Sequence, residues 1–324
     1  REQLTSFLGS VWGNLTTAIE KSRNISSDEL NRYLNEGLAM GQASYAVDYK
    51  LADGLRYRYE VENCVKEMAG QDVKGKLKTA GVDKVASIKV KEKDSKNKIA
   101  VLYAEGEIRD EDSSSPFSAD EQVISEEMAK KLRKLKDDDD VKAVVFRVNS
   151  PGGSAYISEQ IWKEVEELKA KKPIVVSMGN YAASGGYYIS CAANKIVAER
   201  TTLTGSIGVF GVVRNFTGTF DKVGVTTDIV KTNTFADLGD ISRPMREDEK
   251  ALIQRGVEHT YDLFLTRCAD GRGMTKAEID SIGQGRVWTG EQALERGLVD
   301  QLGGMDDAIK EAATLAELTD YSIT

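Results

Sequence analysis

Between residues 141 and 198, short apolar runs alternate with amphipathic stretches, and few folds accommodate that order. Residues 141–148, 173–178 and 195–198 read as strands. Between the first two, Ile157, Ile161, Val165 and Leu168 recur four, four and three residues apart, one face of a helix. Residues 184–193 make a second helix. A β-α-β-α-β order requires crossover connections over a largely parallel sheet, so the expected fold class is α/β. In such sheets, sites form beyond the carboxyl ends of the strands.

Three small-residue turns fall in this region: Asn149-Ser150-Pro151-Gly152-Gly153-Ser154, Tyr181-Ala182-Ala183-Ser184-Gly185-Gly186-Tyr187 and Thr204-Gly205-Ser206-Ile207-Gly208. Gly152 and Gly153 follow a strand and open a helix, where backbone N–H groups are unpaired and face negative charge. Glycine lets a carbonyl approach that backbone closely. The pair fits an oxyanion hole, although a tight strand–helix turn would also explain it. A phosphate cradle is disfavoured because no P-loop lysine follows. Ser184 lies between two alanines and two glycines at the next strand–helix turn. Small residues there could serve packing alone, but two consecutive turns with side-by-side tips favour a nucleophile beside an oxyanion hole.

A serine nucleophile needs a base, and composition narrows the choice. The chain has one histidine, His259, in an amphipathic helix well past the core strands. A zinc site of the usual kinds is therefore not expected, nor any metal or cofactor. A lysine whose amine is neutralised by burial is the remaining common base, and the Ser206 hydroxyl could hold such an amine in line. The Asp137–Asp140 run of acids reads as a solvated loop. The formal net charge of −8 over 324 residues argues against a nucleic-acid partner. Cys64, Cys191 and Cys268 form neither a disulfide framework nor a metal motif.

The first 98 residues have a different character. Leu4, Phe7, Leu8, Val11, Leu15 and Ile19 mark a helix over residues 4–22. Ser26 and Glu29 form a capping box, as do Thr275 and Glu278. Leu51-Ala52-Asp53-Gly54-Leu55 aligns with Leu298-Val299-Asp300-Gln301-Leu302, an internal repeat unless the two helical segments match by chance. Residues 1–75 are then expected to be the helical tail of a first copy whose body lies upstream of Arg1. Residues 76–98 are a lysine-rich connector, and residues 99–324 the second copy, carrying the nucleophile. That copy opens with a strand at residues 99–104, an acidic loop at 110–120 and a helix at 121–135.

The three glycine-rich turns together resemble the signal peptide peptidase A (protease IV) family in its tandem-repeat form. The resemblance implies a Clp-protease/crotonase-like fold and a membrane-associated serine endopeptidase with a Ser/Lys dyad. By position, Ser184 would be the nucleophile, the amides of Gly152, Gly153 and Gly185 the oxyanion hole, and Ser206 the hydroxyl that orients the lysine. The family's short form carries its lysine after a strand like residues 227–230, and Thr234 stands at that position here. The base is therefore expected in the upstream copy. Lys231 would need a register shift to serve, and Lys195 reads as a surface charge. Implied partners are cleaved signal peptides and other apolar segments, a homo-oligomer, and a membrane reached through an upstream anchor. The implied location is the extracytoplasmic face of the bacterial cell membrane. The rival readings are a crotonase-like acyl-CoA enzyme with an acidic residue in the site, and an inactive peptide-binding scaffold.

Overall fold

The computed structural model describes residues 1–88, 95–110 and 122–324. The chain divides into two compact units, Leu8–Lys93 and a larger one of Arg1–Phe7 with Asp94–Thr324. Helix α1 (Glu2–Arg23) starts in the larger unit, and α2 (Ser27–Asn35), α3 (Ser44–Asp48), α4 (Arg58–Met68) and α5 (Val82–Ala86) belong to the smaller one. The capping box of Ser26 and Glu29 forms and starts α2. The interior of this unit is thin: among its described residues, Ile25 and Leu30 are the buried apolar side chains. Tyr33 stacked on Tyr49 at 4.1 Å and the Arg23–Asp53 pair at 2.7 Å add local contacts. Lys66 is buried, and its ammonium pairs with Glu62 at 3.0 Å. Of the stretch expected as a connector, residues 82–86 are helical and residues 89–94 lie outside the described residues.

In the larger unit, strands β1 (Lys98–Glu105), β2 (Glu107–Ile108) and β3 (Val123–Ile124) precede helix α6 (Glu127–Asp137). Strand β4 (Val141–Ser150), helix α7 (Ala155–Lys169), strand β5 (Ile174–Ala183), helix α8 (Gly185–Tyr188) and strand β6 (Lys195–Ala198) realise the expected alternation. Strand β7 (Leu203–Gly205) and helices α9 (Thr217–Val223), α10 (Glu247–Arg272) and α11 (Lys276–Ile282) follow. Strand β8 (Val287–Thr289), helix α12 (Gly290–Glu295), strand β9 (Gln301–Leu302), helix α13 (Met305–Leu315) and strand β10 (Ser322–Ile323) complete the chain.

The sheet runs β10-β1-β4-β5-β6-β9, all parallel, with β7 parallel to the far half of β5 and β8 antiparallel to β7. Alternate side chains of each strand face opposite layers. Val144, Phe146 and Val148 of β4 join one core with Ile157, Ile161 and Phe264, whereas Ala143 and Val145 join a second core with Ala308 and Ala312 of α13. Burial on both faces is the ordinary condition of a parallel sheet, and it explains the unbroken apolar runs. The fold is the α/β architecture anticipated.

Four local expectations are corrected. Val123 and Ile124 pair as a strand with Glu107 and Ile108, and the helix expected from Glu121 begins only at Glu127, where the Ser125 hydroxyl accepts the Glu127 amide. The acidic loop and Glu121 fall outside the described residues apart from Asp110. The helix expected to run to Ala193 stops after Tyr188 and gives way to tight turns, with Ser190 N–H on the Tyr187 carbonyl and Ala193 N–H on that of Ser190. These turns return the chain to β6. No strand forms at residues 227–230, where Val230 is 97% exposed and no described strand lies alongside to form a ladder. Asp137 belongs to α6 rather than to the acidic loop.

The irregular segment before α10 is organised by charge. The Asp237 carboxylate is met by Lys231 at 2.9 Å, Arg243 at 2.7 Å and Arg246 at 3.2 Å, and Glu249 by Arg243 at 2.6 Å. Hydrogen bonds from Lys231 and then Arg243 hold Asp237 far below the usual carboxylate range, and Arg243 holds Glu249 down to about 2. Both folded values lie below the unfolded ones, so the stabilisation is complete above about pH 4.5 and is lost as pH falls towards 2. Hydrogen exchange corrected for its intrinsic rate is expected to show residues 231–249 losing protection over this window. Unchanged protection down to pH 2 would refute the assignment.

Candidate active site

The carboxyl ends of β4, β5 and β7 converge, and the three glycine-rich turns converge with them. Strand β5 pairs with β7 as Tyr181 with Leu203, Ala182 with Thr204 and Ala183 with Gly205. The next residue on each strand is a serine, Ser184 and Ser206. The Ser184 amide donates to the Gly205 carbonyl at 2.9 Å, and the Ser206 amide to the Arg286 carbonyl at 2.7 Å. Both serines have positive φ, +52° and +49°. That conformation is uncommon outside glycine, typically costs about 1–3 kcal/mol, and persists where surrounding structure enforces it.

On the other side of β5, the register against β4 breaks between Val148 and Ser150. The Asn149 carboxamide fills the break by accepting the amides of Asn180 at 3.1 Å and Tyr181 at 3.4 Å. This contact aims the end of β5 at the Gly152–Gly153 turn. A Cβ on Gly152 would lie 2.6 Å from the Gly185 nitrogen and 2.8 Å from the Ser184 Cβ. One on Gly153, at φ +149°, would lie 2.0 Å from the Ile108 carbonyl oxygen. The two turns are in backbone contact, which only glycine permits.

The three candidate oxyanion amides differ. Gly152 N–H donates to the Ser150 hydroxyl at 3.1 Å. Among the described residues, no protein acceptor takes the amides of Gly153 or Gly185. Gly153 stands just ahead of α7, where Ser154 caps the helix and Ser158 bonds back to it. Gly185 opens α8. A Cβ on Gly185 would sit 3.1 Å from the Gly153 nitrogen, so the two free donors are neighbours. A pair of fixed amides beside a hydroxyl can stabilise the oxyanion of an acyl transfer.

These groups open into a cavity of about 880 Å³. Ser184, Ser206, Gly152, Gly153 and Gly185 all line it, together with side chains of α10 that sequence spacing marks only as a helix face: Gln254, Val257, Glu258, Tyr261 and Phe264. Their i, i+3, i+4, i+7 spacing is legible, but it cannot distinguish a core face from a pocket wall. Tyr188 packs against Phe264 in a tilted pair with ring centroids 4.6 Å apart and donates to Glu159 at 2.6 Å; burial first, and then the Glu159 carboxylate, raise its phenol well above the ordinary value. Among the described lining residues there is no lysine, arginine or histidine.

The candidate bases lie elsewhere. The Lys231 ammonium is bound to Asp237 and the Thr234 carbonyl. His259 is exposed and outside the cavity lining. Lys195 pairs with Val175 near the amino end of β5, at the opposite end of the sheet from Ser184. Among the described residues, no group of side chains suits a metal ion.

The family model of peptidase family S49 matches residues 166–319, and that of Clp protease matches residues 115–207. "Putative signal peptide peptidase SppA" of Enterococcus faecium is 37% identical over 75% of this chain and 71% of its own length. The chain belongs to peptidase family S49. "Protease 4" of Salmonella typhi is 38% identical over the whole chain, and "Serine protease SPPA, chloroplastic" of Arabidopsis thaliana is 32% identical over 98% of it. This S49 chain spans about half the length of those two relatives, 52% and 47%. The overlapping Clp protease match agrees with the parallel sheet and crossover helices seen here, a Clp-protease-like fold.

Replacing Gly153 with alanine drives a Cβ into the Ile108 carbonyl and displaces a free amide. In the full-length protein, the rate of fluorophosphonate labelling at Ser184 is expected to fall by roughly 10²- to 10³-fold. An unchanged rate would remove Gly153 from the candidates for the oxyanion hole.

Proposed function

We propose that this chain carries the nucleophile side of a serine endopeptidase that works by a Ser/Lys dyad. Ser184 attacks the scissile carbonyl, the Gly153 and Gly185 amides receive the oxyanion, and water then releases the acyl group. Ser206 holds the lysine amine in line. The observation that carries this reading is the pair of unengaged amides beside Ser184, in a cavity whose described lining offers no amine. In this reading the lysine is supplied by the first half of a longer tandem protein; the twofold greater length of the curated relatives supports this. Lys231, already held by Asp237, does not serve.

The substrates are peptides with apolar side chains, cleaved signal peptides among them. Support comes from the apolar walls of Phe210, Val257 and Phe264 and from the name of the Enterococcus relative. The protein acts as a homo-oligomer at the extracytoplasmic face of the bacterial cell membrane, anchored outside this stretch; no described helix is long and apolar enough to cross a membrane.

One observation favours a second reading. Glu107 and Glu258 line the cavity, as an acyl-CoA enzyme of the crotonase kind would require. Labelling of Ser184 by a fluorophosphonate separates the two, because the crotonase reading needs no reactive serine. In the full-length protein, Ser184→Ala is expected to lower peptide hydrolysis by about 10⁶-fold, whereas Lys231→Ala leaves it essentially unchanged. Residues 1–324 alone should show at most weak turnover. Robust turnover by this stretch that Lys231→Ala abolishes would place the base within it.

A further inference from the structure

The hydroxyl of Ser206 can orient an amine only if its own backbone is held, and the backbone there is strained at φ +49°. What holds it is a turn distant in sequence. The Ser206 amide donates to the Arg286 carbonyl at 2.7 Å, and the Gly285 amide donates to the Ile207 carbonyl at 2.8 Å. Residues 284–286 thus clasp residues 206–207 from both sides. The clasp is close: a Cβ on Gly208 would lie 2.7 Å from the Gly285 Cα. The turn is itself strained, since Gln284 has φ +57° with a side chain present.

Arg286 bonds the Gly283 carbonyl and the Gln284 side chain bonds Asp280, and one side chain from α10 also reaches the turn's backbone. The Tyr261 hydroxyl accepts the Gln284 amide at 3.0 Å and donates to the Asp280 carboxylate at 2.6 Å. A Cβ on Gly283 would sit 3.1 Å from the same oxygen. Tyr261 stands on α10 and lines the cavity, so the helix that walls the pocket also reaches the segment behind Ser206.

We propose that Tyr261 is a positioning residue for Ser206, acting through the turn at residues 284–286. The proposal rests on the role assigned to Ser206 above. Asp280 orients the hydroxyl by accepting its hydrogen bond, leaving an oxygen lone pair for the Gln284 amide. Burial, and then the Asp280 carboxylate, push the phenol up to about 12, so the proton stays on the oxygen throughout the neutral range. Tyr261 takes no part in proton transfer to substrate.

The test uses the full-length protein and a fluorogenic peptide. Tyr261→Phe keeps the ring and removes the oxygen. It removes both of the hydroxyl's hydrogen bonds and is expected to lower kcat by roughly five- to tenfold, with KM little changed. The acidic limb of its kcat/KM profile should move in the same direction as in Ser206→Ala, because one change loosens and the other removes the hydroxyl that orients the base. In a Ser206→Ala background, Tyr261→Phe should cost much less, since coupled residues are not additive. Asp280→Asn, which retains an accepting oxygen, should keep most of the activity that Asp280→Ala loses. An unchanged kcat, a parallel change in kcat and KM, or full additivity with Ser206→Ala would overturn the proposal. If Tyr261→Phe fails to fold, Asp280→Ala is judged by the same criteria. The underlying reading fails separately: activity retained by Ser184→Ala would sink the proposed function, and Ser206→Ala without effect would remove the role of Ser206.

Discussion

The parallel pairing of β5 with β7 places Ala183 opposite Gly205, so that the next residue on each strand is a serine. Everything at the candidate site follows from this register. A slip of one residue in either strand would turn its serine to the opposite face of the sheet from the other. The register is set on two sides. Asn149 fills the break between β4 and β5, and the turn at residues 284–286 holds the chain after β7. Positive φ at Ser184, Ser206 and Gln284 is strain that these contacts maintain.

The glycines play a steric part that composition alone does not reveal. Gly152, Gly153 and Gly185 bring two loop backbones to distances at which any side chain would collide. That approach places next to each other, at the start of two helices, two amides that no protein acceptor takes among the described residues. The third glycine amide is consumed by Ser150, so of the three candidate oxyanion donors two keep their N–H groups unengaged among the described residues. The difference lies in one side-chain hydroxyl.

Much of this architecture is legible in the sequence because parallel sheets bury both faces. Unbroken runs such as Val144-Val145-Phe146 signal such strands, and Ile157, Ile161 and Val165 signal the crossover helix. Where sequence and structure part, the cause is short-range ambiguity. Val123 and Ile124 fit a helix face with Met128 by spacing, yet they pair with Glu107 and Ile108, a partner sixteen residues away in sequence. A strand at residues 227–230 fits its own composition but has no described strand to join. On α10, Val257, Tyr261 and Phe264 show helical spacing, which is the same for a core face and a pocket wall.

The sequence by itself determined the α/β class, the order of strands and helices between residues 141 and 198, and the three small-residue turns that hold Ser184, Ser206 and the glycines. It did so because hydrophobic period and glycine placement are local properties of the chain. Only the tertiary structure decided which amides stay free, that Lys231 is committed to Asp237, and that Tyr261 reaches the turn behind Ser206. Those outcomes depend on which donor meets which acceptor once the chain has folded. Ser206 and Arg286 are tens of positions apart, and no local pattern encodes their pairing.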